Sequence, residues 1–223
     1  MDFTFIAEHL PEFAGGAALT LRFGLLGVLC ATLLGLACSV VLHFSIPLLR
    51  PLSAAYIEVA RNTPLLVQLF FLYAGLPRVG VRLSPEACAV IGLTFLGGGY
   101  MAEAFRSGLE SIDRAQREAG ECIGLTRGQN LRYVLLPQAL ATAAPALFAN
   151  VIFLIKETSM FSVLSMMDLM NVADVLRTSG GRTMEVLLML AVCYLLLLVP
   201  ISLLGALVER RLRYAGFGLP DSV

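Results

Sequence analysis

The chain has 223 residues, 58% apolar and 14% charged, with a formal net charge of +0 and a mean hydropathy of +0.83. Ordinary globular chains are roughly 45–50% apolar and about 25% charged, so the composition excludes a typical soluble domain and points to one all-α bundle in lipid. A charge balance near zero also leaves no basic face for a nucleic acid.

The five cysteines, Cys30, Cys38, Cys88, Cys122 and Cys193, are scattered through apolar or helical stretches. None has the paired spacing of a zinc site, and an odd number cannot all pair with one another. They read as small buried hydrophobes. No metal-ligating cluster and no Ser-His-Asp set stands out, and His9 and His43 stand alone.

The opening "MDFTFIAEHLPEFAGG" is acidic and lacks the basic n-region of a signal peptide. The apolar run after it is too long for an h-region, so it reads as a retained membrane span. Crossing the hydrocarbon core takes about 20 apolar residues as helix. On that scale Phe23–Ile46 and Val186–Val208 pass cleanly, and Pro137–Ile155 is uncharged up to Lys156-Glu157. Asn62–Pro77 and Ala87–Ala102 are shorter, with Glu58 and Arg61 before one and Glu103 and Arg106 after the other. Five spans result, roughly 17–44, 52–77, 85–107, 137–160 and 184–209, in one domain, 1–223.

An odd span count puts the termini on opposite sides, and arginine bias chooses the side. With the N-terminus outside, the inner segments carry Arg50, Arg106, Arg114, Arg117, Arg127, Arg132, Arg210, Arg211 and Arg213. The outer ones carry Arg78, Arg82, Arg177 and Arg182. The expected topology is N-out, C-in, with residues 108–136 in the cytoplasm.

Within that loop, Ile112, Ala115, Ala119, Cys122 and Ile123 share one helical face at about 100° per residue, opposite Asp113, Arg114, Arg117, Glu118 and Glu121. Ser107 with Glu110 reads as a capping box opening this helix, and Thr126 with Gln129 as a second one. Gly124 suits the left-handed stop between them, and Pro137 marks where the second helix ends or kinks. A plain solvated loop needs no pair of capped helices, so the hairpin reads as a docking element.

The hairpin resembles the cytoplasmic signature of ABC importer permeases: Glu-Ala-Ala, three residues, Gly, nine residues, Ile-x-Leu-Pro. Here it reads Glu118-Ala119-Gly120, Gly124, then Val134-Leu135-Leu136-Pro137, with Gly120 for alanine and Val134 for isoleucine. The wider chain is similar to permeases for polar amino acids. Their "RGTPLLVQ" appears as Arg61-Asn62-Thr63-Pro64-Leu65-Leu66-Val67-Gln68. Their "GAYxAExxRxGxxSI" appears at Gly98–Ile112, "LPQAL" at Leu136–Leu140, and "K-D/E-T-S" as Lys156-Glu157-Thr158-Ser159.

The resemblance implies a type I permease with five transmembrane helices and a coupling loop, carrying a polar amino acid across a bacterial inner membrane. It implies that Glu118, Ala119, Gly120, Gly124, Leu136 and Pro137 engage a separate ATPase. It further implies a second permease (a copy or a relative), an extracytoplasmic solute-binding protein and surrounding lipid. This chain has no phosphate loop: Lys156 is its only lysine and Glu157 follows it. It therefore needs no cofactor of its own, ATP and Mg being used by the partner, and it is not itself an enzyme. The glycine at 120 predicts a looser docking helix, because glycine is about 1 kcal/mol less favourable in a helix than alanine.

Charges retained in lipid usually face a bundle interior or a pathway. Glu58/Arg61 and Glu103/Arg106 also fit interfacial pairs with snorkelling arginines. Lys156-Glu157-Thr158-Ser159 fits either a structural ion pair or a broken helix that shapes a polar cavity. There Glu157 would meet a substrate amine, Thr158 and Ser159 would offer hydroxyls, and Asn150 would contribute from one to two turns earlier. Arg61-Asn62-Thr63-Pro64 is a second candidate lining, with Pro64 freeing a carbonyl. Gly97-Gly98-Gly99 reads as close helix packing, and Met166, Met167 and Met170 as a short amphipathic run. Glutamine, glutamate, cystine, arginine and histidine all remain open as substrates. An ion-coupled secondary carrier is the alternative function, although the repeats and deep charges typical of one are not found.

Overall fold

The computed structural model describes residues 1–180 and 182–212, and every element among them is helical. Helix α1 spans Phe3–His43, α2 Leu49–Asn62 and α3 Leu65–Phe70, the last continued by a π turn at Phe71–Gly75 and a 3-10 turn at Leu76–Val79. Helix α4 is Pro85–Glu110, α5 Arg114–Cys122 and α6 Arg127–Asn130. A π turn at Leu131–Leu135 leads into α7, Leu136–Glu157, followed by a 3-10 stretch at Thr158–Leu164, α8 at Leu169–Gly180 and α9 at Thr183–Leu212. Four helical stretches are long and apolar enough to cross a membrane: α1, α4, Arg127–Leu164 and α9. Residues 49–79 form a broken helix, with Leu65–Val79 as its apolar part.

Helix α1 begins at Phe3, well ahead of the span of roughly 17–44 expected from sequence. The Asp2 side chain caps it by accepting from the Thr4 and Phe5 amides. Its first turns persist because Phe5, Ile6 and Phe13 pack with Leu169, Val172, Leu176, Val186 and Met189 of α8 and α9. Helix α8 extends well past the methionine run, which alone was legible as amphipathic.

Small residues let α1 and α4 approach closely, as in membrane bundles generally. A Cβ on Gly27 would come within 2.6 Å of Leu93, and one on Gly35 within 2.5 Å of Met101. The glycine triplet serves packing on three sides: Gly97 faces Ala31 and Leu154, Gly98 faces Tyr56 and Leu34, and Gly99 faces Ala60 and Arg61. These pairings make α1 and α4 parallel, since both residue numbers rise together. Helix α7 runs against α4, with Leu154 at Gly97 and Ala139 at Gly108. Helix α9 returns parallel to α1, joined to its start by an Arg182–Asp2 ion pair and packed at Gly205 against Phe148. The ends of α1 and α4, the α5–α6 hairpin and the end of α9 therefore share one end of the bundle.

Candidate functional site

Two regions carry the residues singled out in sequence. The first is the α5–α6 hairpin. Its opening cap is Asp113, whose side chain accepts from the Ala115 amide. The expected Ser107/Glu110 box does not form. Both residues lie inside α4, where Glu110 pairs with Arg106, because α4 continues that far on its packing against α7. The second box is present: the Thr126 side chain accepts from Gln129 N at 3.3 Å, and Gln129 Oε1 accepts from Thr126 N at 2.9 Å.

Between the two helices Gly124 adopts φ +82, the left-handed conformation that other residues adopt at a cost of about 1–2 kcal/mol. Pro137 neither ends nor sharply breaks the second helix. Proline offers no amide to the carbonyl one turn back, and the π turn at Leu131–Leu135 absorbs the misfit before α7 proceeds.

Helix α5 buries only Gly120. Its apolar stripe of Ala115, Ala119, Cys122 and Ile123 faces away from the bundle, with Ile123 76% exposed. Cys122 is likewise exposed, against its reading as a buried hydrophobe. Glu118 is exposed and paired with Arg114 at 2.8 Å, a contact that contributes little in water. Leu136 and Pro137 are half-buried where the hairpin joins α7. A cleft of about 200 Å³ between hairpin and bundle is lined by His43, Phe44, Arg117, Glu121, Arg127 and Asn130.

The second region lies around the break between α2 and α3. Thr63 is extended and Pro64 starts α3. The freed carbonyls find a donor that sequence reading passed over: Gln68 Nε2 donates to Thr63 O at 3.0 Å and Ala60 O at 3.4 Å. Its signal was present as a polar side chain one turn past the breaking proline. Asn62 and Thr63 turn back on their own helix, donating to Glu58 and to Val59 O. Beside the break an apolar groove of about 370 Å³ is lined by Val59, Thr63, Val67, Gln68, Phe71 and Ile91.

Arg61 sits over the Tyr100 ring at 5.5 Å and 3.9 Å from Glu103, which also pairs with Arg106. Asn150 donates to Tyr100 O at 3.1 Å, tying α7 to the same point. Arg61 and Asn150 are thus brought together through Tyr100, a motif residue to which the sequence assigned no role. The Lys156–Ser159 group lies apart, about 12 Å further along the helix at 1.5 Å per residue. There the α-helix gives way to 3-10 geometry after Glu157. Lys156 is exposed, Glu157 and Ser159 are half-buried, and the two charges form no ion pair among the described residues. Thr158 is fully buried beside Gly24, with its hydroxyl donating to Ile155 O at 2.6 Å.

Past the 3-10 stretch, buried Asp168 caps α8, accepting from Met170 N and Asn171 N, both at 3.3 Å. Burial, with no ion pair to a cation among the described residues, pushes its carboxyl up to about 6.

Residues 25–214 match the family described as binding-protein-dependent transport system inner membrane component. The probable amino-acid ABC transporter permease protein PatM of Vibrio harveyi is 37% identical over 196 residues, 86% of this chain and 88% of that one. The glutamine transport system permease protein GlnP of Escherichia coli is 32% identical over 95% of this chain and 98% of its own. A crystal structure of an amino acid ABC transporter with histidines superposes with TM-score 0.86 at 34% identity, covering 95% of this chain and 99% of that one. The MetNI methionine transporter in an inward-facing conformation shares the fold, with TM-score 0.77 at 21% identity over 92% of this chain and 98% of its own. No support remains for an ion-coupled carrier. The chain belongs to the binding-protein-dependent transport system inner membrane components, as an all-α, amino-acid-type permease subunit of an ABC importer that is itself no enzyme.

Proposed function

We propose that this permease carries a polar amino acid inward across a bacterial inner membrane, moved by a separate ATPase that grips the hairpin from Glu118 to Pro137. Membership of the family already implies an ATPase partner using ATP, a second permease and a multi-pass membrane location. The proposal adds an extracytoplasmic binding protein, five spans counting the broken helix 49–79 as one, and an outside N-terminus.

One observation carries the coupling reading. Helix α5 turns an apolar stripe and Glu118 toward solvent while burying only Gly120. An exposed apolar face beside charges is the form of a surface awaiting a partner. The bundle end that holds this hairpin also collects Arg50, Arg114, Arg117, Arg127, Arg132, Arg210 and Arg211, which supports a cytoplasmic placement. Arg213 lies outside the described residues.

For the solute, Arg61, Asn62, Thr63, Pro64 and Asn150 form one candidate stretch of the path, and Lys156, Glu157, Thr158 and Ser159 a second further out. A zwitterion would meet these charges in succession along the path, its ammonium at Glu157 and its carboxylate at Arg61. Hydrogen bonds between oppositely charged groups are roughly twice as strong as neutral ones.

The Gly124→Asp variant tests the coupling. Nothing among the described residues lies within 4 Å of a Cβ at 124, so the substitution strains the turn and whatever docks against it. Insertion should remain normal while ATP-driven uptake in reconstituted vesicles is abolished. Wild-type uptake by this variant would falsify the reading.

A further inference from the structure

Gly120 is the one residue at which the hairpin's first helix is buried, and the space a side chain would fill there is already taken. A Cβ at 120 would lie 2.6 Å from Asn130 Cγ and 2.7 Å from Asn130 Nδ2. Asn130 is itself only 2% exposed, the last residue of α6. Its Nδ2 donates to Arg117 O at 2.8 Å, one turn before Gly120, across thirteen residues of chain. We propose that Asn130 is a positioning residue that locks the coupling helix to the base of α7, and that glycine stands at 120 because the lock needs its volume.

The mechanical sense follows from what flanks the lock. Helix α5 is joined to the rest of the chain by the short links Ser111–Asp113 and Ile123–Thr126, which can bend under load, and it packs beside the π turn at Leu131–Leu135. Asn130 leads directly through the π turn into α7, and Leu135 of that turn and Ala139 of α7 pack with Leu109 of α4. A push on α5 is thereby passed from the Arg117 carbonyl to Asn130 and on into a span, instead of being lost in the Gly124 turn. Asparagine suits the task because its amide donates while its short stem fits beside a backbone that carries no Cβ. The amide oxygen is buried without a hydrogen-bond partner, held against the glycine instead.

This inference rests on the hairpin being the coupling element, and the test separates the two. Permease, ATPase and binding protein are reconstituted in vesicles, and amino acid taken up per ATP hydrolysed is measured alongside ATPase retained on the purified complex. Asn130→Ala and Asn130→Asp, neither of which can donate to the Arg117 carbonyl, should keep the ATPase bound but lower uptake per ATP at least threefold. Gly120→Ala should do the same by displacing Asn130. The double variant Gly120→Ala/Asn130→Ala should be no worse than Asn130→Ala alone, because the smaller side chain vacates the contested volume. Wild-type uptake per ATP in Asn130→Ala and Gly120→Ala overturns the lock, as does a double variant whose loss is the product of those two single losses. Gly124→Asp reports on the hairpin separately. Normal uptake there sinks the coupling reading, whereas lost uptake there with wild-type Gly120→Ala and Asn130→Ala sinks the lock alone.

Discussion

Residue 120 departs from the family pattern, and sequence alone predicts a weakened helix. Glycine in place of alanine is unfavourable by about 1 kcal/mol, but a net hydrogen bond contributes about 0.5–1.5 kcal/mol. The Asn130 bond to Arg117 is of comparable size, but burial of the unpartnered Asn130 amide oxygen costs about 1–3 kcal/mol, so the contact at 120 fixes position rather than adding stability. Asp168 is the second residue with a consequence of its own. Its pKa of about 6 lies above the ordinary carboxylate value, so the folded chain holds the proton more tightly than the unfolded chain. Its contribution to stability is full below pH 4 and is lost as pH rises through about 6. Asp168→Asn keeps the cap and cannot ionise. Thermal unfolding in detergent should show the variant matching wild type near pH 4 and exceeding it at pH 7.5, by up to about 3 kcal/mol for a two-unit shift. Equal midpoints at both pH values would count against a raised Asp168.

Among elements, the break at Thr63-Pro64 and the π turn before Pro137 answer the same problem differently. Proline removes an amide in each case. The first site resolves it with a side chain, Gln68, and the second with backbone register. Gln68→Ala leaves the Ala60 and Thr63 carbonyls without that donor, at a cost of about 1–3 kcal/mol where such groups are buried. The purified protein should unfold several degrees lower, and an unchanged midpoint would show that other groups satisfy those carbonyls. Both prolines were legible as punctuation in sequence. Their remedies were not read: the polar side chain of Gln68 one turn past Pro64 was passed over, and Leu131–Leu135 carries no local signal that distinguishes a wide turn from ordinary helix.

For the whole molecule, the parallel run of α1, α4 and α9 against α7 puts the hairpin at one end of the bundle and Asp2, Arg182 and α8 at the other. Cys122 is the exposed cysteine among the five, the others being buried or half-buried. A membrane-impermeant maleimide should label it in inside-out vesicles and not in right-side-out ones, with protection when the ATPase is bound. Labelling from the outer face would reverse the proposed topology.

Composition, the apolar runs and the charged hairpin between them determined the class of this protein, since burial in lipid and the spacing of caps are local properties of a chain. The second capping box, the Gly124 turn and the close-packing glycines were readable for the same reason. Which face of α5 turns outward, why glycine occupies 120 and how Arg61 meets Asn150 through Tyr100 were decided only by tertiary structure. Each depends on residues far apart in sequence competing for one volume or one hydrogen bond, and no local period records that competition.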